Sequence, residues 1–168
     1  ATVHINEDGS VTVAPGSPDI GGSRASMGMM VAEVLGIPVD KVRTTIADTA
    51  SIGFTHLTGG SRVTFATGMA ATQAAERVVA DLKKRAAMIW EISPDAVEWK
   101  DGAAYPAGTN AGQFEPLDLA TLALRAARTG GPVNAEVSVN AQGAGAGFGA
   151  HICDVSVDKE TGHVTIER

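Results

Sequence analysis

Cysteine is almost missing from this sequence: Cys153 is the only one in 168 residues. An internal disulfide is therefore excluded, and so is any metal site built from several cysteines. Aromatic residues make up 4% of the chain, so the core has to be assembled from Ala, Val, Ile and Leu. Positive charge is sparse. Lys83-Lys84-Arg85 is the only basic run, and the formal net charge is −6. A chain without a basic stripe is a poor match for a phosphate backbone, which points away from nucleic acid. No apolar stretch approaches the ~20 residues that a membrane-spanning helix needs before charge, Gly or Pro interrupts it. No basic segment followed by an apolar one opens the chain either.

What is present suits a globular domain. A length of 168 residues, 44% hydrophobic and 19% charged, fits one domain with a genuine core. The 20 glycines suggest close backbone approach and functional loops. These features fit a cytoplasmic protein. The start at Ala1, directly in a strand-like run, is what a domain cut from a longer polypeptide would show.

The order of elements predicts an α+β fold. Residues 2–5 and 11–13 flank Asn6-Glu7-Asp8-Gly9, and the Asp-Gly pair supplies the positive φ of a hairpin turn. After a Gly/Pro/Ser-rich loop at 15–23, Met27, Met30, Val31, Val34 and Leu35 fall on one helical face. Gly36 is placed to end that helix and Pro38 prevents its resumption. Alternating Val42, Thr44 and Ile46 predict a strand. A second, long helix runs to about Trp90, with Ala71, Ala75, Val78, Val79, Leu82, Ala86 and Ile89 in a stripe. Glu76, Asp81, Lys84 and Arg85 lie off that stripe. A hairpin around Asp101-Gly102, a helix over 117–127, a strand over 133–139 and a last hairpin around Glu160-Thr161-Gly162 follow. The expectation is a two-layer ββαβα core with further strands and a helix, its mixed sheet covered mainly on one face.

Two loops stand out because each immediately precedes a helix and each reads Gly-Gly-Ser-Arg. The first contains Gly21, Gly22, Ser23 and Arg24; the second contains Gly60, Ser61 and Arg62, then Val63 and Thr64. A helix N-terminus offers unpaired N–H groups and the positive end of the dipole, so it suits an anion. Glycine admits a phosphate to the backbone, Ser donates to oxygen and Arg adds a two-pronged donor. On pattern alone the alternative stays open that Ser23 and Ser61 simply cap their helices. Neither loop matches GxGxxG or GxxxxGK[ST], so a Rossmann or P-loop reading fails.

The residues around these loops resemble the large subunit of the molybdenum hydroxylases, the xanthine dehydrogenase, aldehyde oxidase and carbon monoxide dehydrogenase family. Asp19-Ile20-Gly21-Gly22 followed by Ala32-Glu33-Val34-Leu35-Gly36-Ile37-Pro38 is similar to its D-x-G-Q-G loop and A-E-x-L-G-[IV]-P helix end. Asp48-Thr49 looks like its D-T, and Gly60-Ser61-Arg62-Val63-Thr64 with Gly68 and Ala70 looks like its G-S-R-x-T…G-x-A. Val155-Ser156-Val157-Asp158, Thr161-Gly162 and Val164 resemble its V-x-V-D-x-x-T-G-x-V hairpin. Residues 91–145 carry almost none of the likeness.

The resemblance implies a single domain of a molybdenum subunit that packs on molybdopterin, often the cytosine dinucleotide form in bacteria. Gly21, Gly22, Ser23 and Arg24, with Gly60, Ser61, Arg62, Val63 and Thr64, would contact the pterin and its phosphates. It also implies hydroxylation of a small-molecule substrate such as an aldehyde or N-heterocycle, with iron–sulfur and flavin partners and the remainder of the subunit. The metal would be held by the pterin's own sulfurs, so neither protein ligands nor molybdenum are expected in residues 1–168 alone. The likeness breaks at the first loop: the family's Gln of D-x-G-Q-G is missing, Asp19 to Glu33 is one residue shorter than usual, and Gly22 offers no side chain in its place. The family's phenylalanine-glycine loop and its glycine-glutamate motif are not among these residues, so no catalytic residue and no activity of the fragment are expected. A stand-alone phosphate- or nucleotide-binding module using the same loops is the alternative.

Other candidates are weaker. Asp48, His56 and Ser61 are triad types, but Ser61 lacks the G-x-S-x-G elbow. His4, His56, His151 and His163 lack ligand spacing, with His4 and His163 expected exposed on strands. Glu33 and Asp48 could form an acid/base pair, although Glu33 sits on a polar helix face. Met27, Met29 and Met30 read as core filling, and 142–149 reads as a Gly/Ala linker.

Overall fold

The computed structural model describes residues 1–45, 48, 50, 55–143, 145–147 and 149–168. Strands β1 (Thr2–Ile5) and β2 (Val11–Ala14) form the expected hairpin. Strand β3 (Val42–Thr44) then joins β2 in parallel; the remainder of its expected run, at Ile46, lies outside the described residues. A strand from late in the chain, Asn134–Glu136, pairs antiparallel with β1 on the other side. The result is a four-stranded mixed sheet.

Its register sorts the side chains cleanly. Val3 faces Val13 and Ala135, Ile5 faces Val11, and Val11 faces Val42, all on one side. His4, Thr12, Arg43 and Asn134 alternate to the other. Both long helices cover the apolar side. Helix α1 (Ser23–Leu35) buries Met27, Val31 and Leu35, as its spacing predicts, and seats Met30 and Val34 at the core's edge. Met29 departs from the expected core cluster and is exposed. Helix α2 (Gly68–Trp90) buries Ala71, Ala75, Val78, Leu82 and Ala86. It is preceded by a π-helical turn, Val63–Thr67, rather than beginning directly.

Arg85 corrects the expected polar face of α2. It is buried, its Nε donating to Asp81 Oδ2 at 2.7 Å and its Nη1 to the Gly131 carbonyl at 2.6 Å. Helical period marks a charged residue as solvent-facing unless distant carbonyls meet it, and this one comes from a loop 46 residues away.

A second sheet packs at the far ends of both helices. Its strands are β4 (Val97–Lys100), β5 (Ala103–Pro106) and β6 (Leu117–Asp118), all antiparallel. The helix expected over 117–127 is therefore shorter. It gives its start to β6, runs as α3 (Leu119–Leu124), and closes in a 3₁₀ turn, Ala126–Arg128. Asp118 terminates the strand and caps the helix, its carboxylate accepting from the Thr121 N–H at 2.8 Å. The strand Asn134–Glu136 is then β7. The docking of the second sheet on the helices is tight: Trp99 Nε1 donates to the Leu35 carbonyl at 2.9 Å, and Trp90 stacks on Phe114 at 5.8 Å. The last hairpin, β8 (Val155–Val157) and β9 (Val164–Ile166), pairs only with itself among the described residues.

Candidate functional site

The two Gly-Gly-Ser-Arg tetrapeptides adopt different conformations. In the first, Gly21 (φ 60°) and Gly22 (φ 78°) are left-handed and Ser23 already opens α1. In the second, the left-handed pair is shifted by one residue to Gly60 (φ 63°) and Ser61 (φ 57°). Ser61 therefore holds a conformation that costs an L-residue roughly 1–2 kcal/mol. A Cβ built on Gly21, Gly22 or Gly60 would meet nothing within 4 Å, so these backbones border open space.

At the first loop an internal carboxylate serves the helix end. Asp19 Oδ1 accepts from the Arg24 N–H at 2.9 Å and from the Ser23 hydroxyl at 3.3 Å, and its other oxygen pairs with Arg24 at 3.2 Å. The Arg24 N–H, more than any other contact, holds the Asp19 carboxyl below the usual carboxylate range. Ser23 is buried, its hydroxyl also accepting from the Ile20 N–H at 3.1 Å. Ser23 is therefore a structural tie of the loop, and the exposed parts of that loop are Gly21, Gly22 and Arg24.

The second loop borders a cleft of about 450 Å³, within the usual range of small-molecule sites. Arg62 and, from the π-helical turn it precedes, Val63, Ala66 and Thr67 form one wall; Gly16 and Ser17 of the loop after β2 form another, and residues 137–140 after β7 a third. Thr55, His56 and Thr58 also border it. Thr67 Oγ1 donates to Ser17 Oγ at 3.0 Å, tying the π turn to the β2 loop, and Thr55 Oγ1 donates to the Gly16 carbonyl at 2.8 Å. Arg62 is half-buried and its Nη1 donates to the Leu57 carbonyl at 3.3 Å. Ser17 also borders the small recess that holds Asp19, Ser23 and Arg24. Both helix starts thus rest on the same loop.

Among the described residues bordering the cleft there is no carboxylate side chain, although the whole chain is acidic. Its polar side chains are hydroxyls, the Asn140 amide, His56 and the Arg62 guanidinium, and the Ala1 amino group, which donates to the Val137 carbonyl at 2.8 Å, borders it too. That donor set suits an uncharged heterocycle edge together with an anionic group. Among the described residues no three His, Cys, Asp or Glu side chains are grouped to hold a metal.

A family model described as "Molybdopterin cofactor-binding domain" matches residues 1–168. The chain belongs to that family. The fold of this molybdopterin cofactor-binding domain recurs in solved structures: "Reconstituted CO dehydrogenase from Oligotropha carboxidovorans" (TM-score 0.79, 23% identity, 99% of this chain and 21% of that one). It recurs again in "Crystal structure of quinoline 2-Oxidoreductase from Pseudomonas Putida 86" (TM-score 0.69, 19% identity, 98% and 22%). The domain therefore spans about a fifth of the length of either relative. The donor set of the cleft fits a phosphorylated pterin.

Of the residues singled out in the sequence, Arg62 and Val63 border the cleft, while Gly60, Ser61 and Thr64 are exposed beside it. Ser17, Thr67 and residues 137–140 were not singled out. By pattern Ser17 belongs to a Gly/Pro/Ser-rich loop and Thr67 to plain helix. Residues 137–140 reach the cleft because β7 pairs with β1 and Val137 bonds Ala1 across the chain, which local pattern does not reveal. Of the triad types, His56 directs Nδ1 to its own loop, where it accepts from the Leu57 N–H at 3.1 Å. Glu33, His4 and His163 are exposed.

Proposed function

We propose that the chain is one domain of a larger molybdenum subunit and holds molybdopterin in the cleft between the π turn, Ser17 and residues 137–140. The single observation that carries this reading is a hydroxyl-rich cleft at the second helix start, without a carboxylate among the described residues that border it, in a domain of the molybdopterin-binding family. Arg62 takes the phosphate, aided by the open backbone at Gly60 and the first-turn groups of Val63 and Thr64. Ser61 donates from its left-handed turn. Gly21, Gly22 and Arg24 border the same ligand from across Ser17, while Ser23 keeps that loop in shape.

The bound cofactor would supply the metal that accepts electrons from a substrate carbon. The chain's own residues bind and orient it. We further propose that the cofactor is the cytosine dinucleotide form and that the parent is a cytoplasmic oxidoreductase of aldehydes, N-heterocycles or related small molecules. Iron–sulfur and flavin partners would receive its electrons.

The test is cofactor content in the purified parent protein, read as fluorescent pterin released by oxidation and as CMP released by hydrolysis. Arg62→Ala should lower pterin retention at least about tenfold, since a charge-assisted contact is worth roughly 1.5–3 kcal/mol. Thermal stability should barely move. Unchanged pterin per folded protein would remove Arg62 from the site, and absence of pterin from the wild type would remove the reading.

A further inference from the structure

In a regular α-helix Thr67 and Arg62 would point to different sides. Five residues at about 100° each leave them about 140° apart around the axis. The turn Val63–Thr67 is wound with i→i+5 bonds instead, a wider winding that brings residues five apart towards one side. Arg62, at the N-cap of that turn, and Thr67, at its end, accordingly border the same cleft, Thr67 one turn further along.

Thr67 directs its hydroxyl out of its own helix. A helical threonine commonly returns its O–H to a carbonyl of the preceding turn. Thr67 Oγ1 donates to Ser17 Oγ at 3.0 Å, across 50 residues of chain. A hydroxyl has one proton and two acceptor sites. With the Ser17 oxygen accepting from Thr67, the Ser17 proton is left to donate, and among the described residues it has no acceptor. The loop around it has little freedom: Pro15 is buried, Pro18 follows, and the Gly16 carbonyl accepts from Thr55.

We propose that Thr67 is a positioning residue and Ser17 the donor it aims. The Ser17 O–H donates to an uncharged acceptor, a carbonyl oxygen or nitrogen on the ring of the ligand whose anionic group Arg62 holds. Charge separates the two ends. Arg62 is the side-chain cation bordering the cleft, whereas on the far side of Ser17 the charges of Asp19 and Arg24 pair with each other at 3.2 Å. An anion is therefore favoured at Arg62 and a neutral acceptor at Ser17. The inference rests on the function proposed above and gives the ligand a direction: anion at the start of the π turn, ring edge one turn along.

The experiment is a double-mutant cycle in the purified parent protein, read as pterin retained per folded protein. Ser17→Ala and Thr67→Val should each lower retention about three- to tenfold, the range of a neutral hydrogen bond. The double variant should lose no more than Ser17→Ala alone, because Thr67 acts only through Ser17. Thr67→Ser keeps a hydroxyl and should restore what Thr67→Val loses. The parent made without cofactor should melt alike in every variant. Melting temperatures of that cofactor-free protein that fall in step with pterin overturn the proposal, leaving the pair a structural tie. Losses that add in the double variant overturn it too, as does Thr67→Ser behaving like Thr67→Val, or full retention in either single variant. A loss above about thirtyfold in Ser17→Ala marks a charged acceptor and overturns the ring assignment. Pterin in the wild type with unaffected variants rejects this inference alone, whereas a wild type without pterin rejects the cofactor reading and this inference with it.

Discussion

Arg85 donates a 2.6 Å hydrogen bond to the carbonyl of Gly131, fastening the C-terminal third of α2 to the loop that leads into β7. The same guanidinium reaches Thr129 Oγ1 at 3.4 Å and pairs with Asp81. Arg85→Met keeps the bulk of the side chain but leaves the Gly131 carbonyl without its donor. An unfolding midpoint in urea should register a loss of about 2–3 kcal/mol. Asp81→Ala should cost less, about 1 kcal/mol or below, because Asp81 is 40% exposed and water screens the pair. Equal costs would mean that the ion pair, and not the carbonyl contact, carries the stabilisation.

Two glycines on the same helix pair should respond differently to alanine. A Cβ on Gly68 would lie 2.7 Å from Met30 Sδ, but that atom is near the end of a flexible chain and can move aside. A Cβ on Gly36 would lie 3.0–3.1 Å from backbone atoms of Asp101 and Gly102, with φ at 68°. Alanine also gains roughly 1 kcal/mol of helix propensity at Gly68. Gly68→Ala should therefore fall within about 1 kcal/mol of wild type in denaturant titrations, while Gly36→Ala loses about 2 kcal/mol. The ranking, read from both midpoints, is the test.

Ser61 holds a left-handed backbone without being glycine. Ser61→Gly should raise thermal stability, by up to about 1 kcal/mol, by removing that strain. If Ser61 also donates to the cofactor, pterin retention by the parent falls in the same variant. Higher stability with unchanged pterin would leave Ser61 a turn residue only.

Acid should loosen the fold at its helix starts. Asp118 is lowered from its ordinary pKa chiefly by its bond to Thr121, and Asp19 chiefly by the Arg24 N–H. Both folded values lie below the unfolded one, so the stability they contribute is complete above the ordinary aspartate value of about 3.9. It is lost as pH falls through the lowered folded values. The part of the urea midpoint that these two carboxylates carry should be level above about pH 5 and decline below about pH 4. The side-chain amide introduced by Asp118→Asn can still accept from Thr121 but does not titrate, so that variant should decline less steeply.

The legible parts of this fold are those whose partners lie nearby in sequence. The α1 face, its Gly36 stop and the first hairpin depend on period and turn chemistry, and all are found. The π turn before α2 was not legible, because Val63–Thr67 reads as helix in either winding. Arg85 reads by period as a solvent-facing residue because the carbonyl that buries it is far along the chain. Residues 117–118 looked helical for a similar reason: only the pairing of Ala103 and Ala104 with them makes a strand. At the site, the glycine-rich loops were visible, but the cleft is closed by Ser17 and residues 137–140, which meet only in the folded chain.

Gly36 and Gly102 exclude one another's side chains. A Cβ on the first would lie 3.0 Å from the backbone N of the second, and a Cβ on the second 3.2 Å from the Gly36 carbonyl oxygen and 2.8 Å from Ile37 Cγ2. The helix stop and the hairpin tip are therefore a single joint with two halves. Once one glycine is replaced, the joint is already pried apart, and replacing the other should add little. Natural variation at the two positions should accordingly travel together, with the second sheet free to tilt away from the helices wherever both are lost.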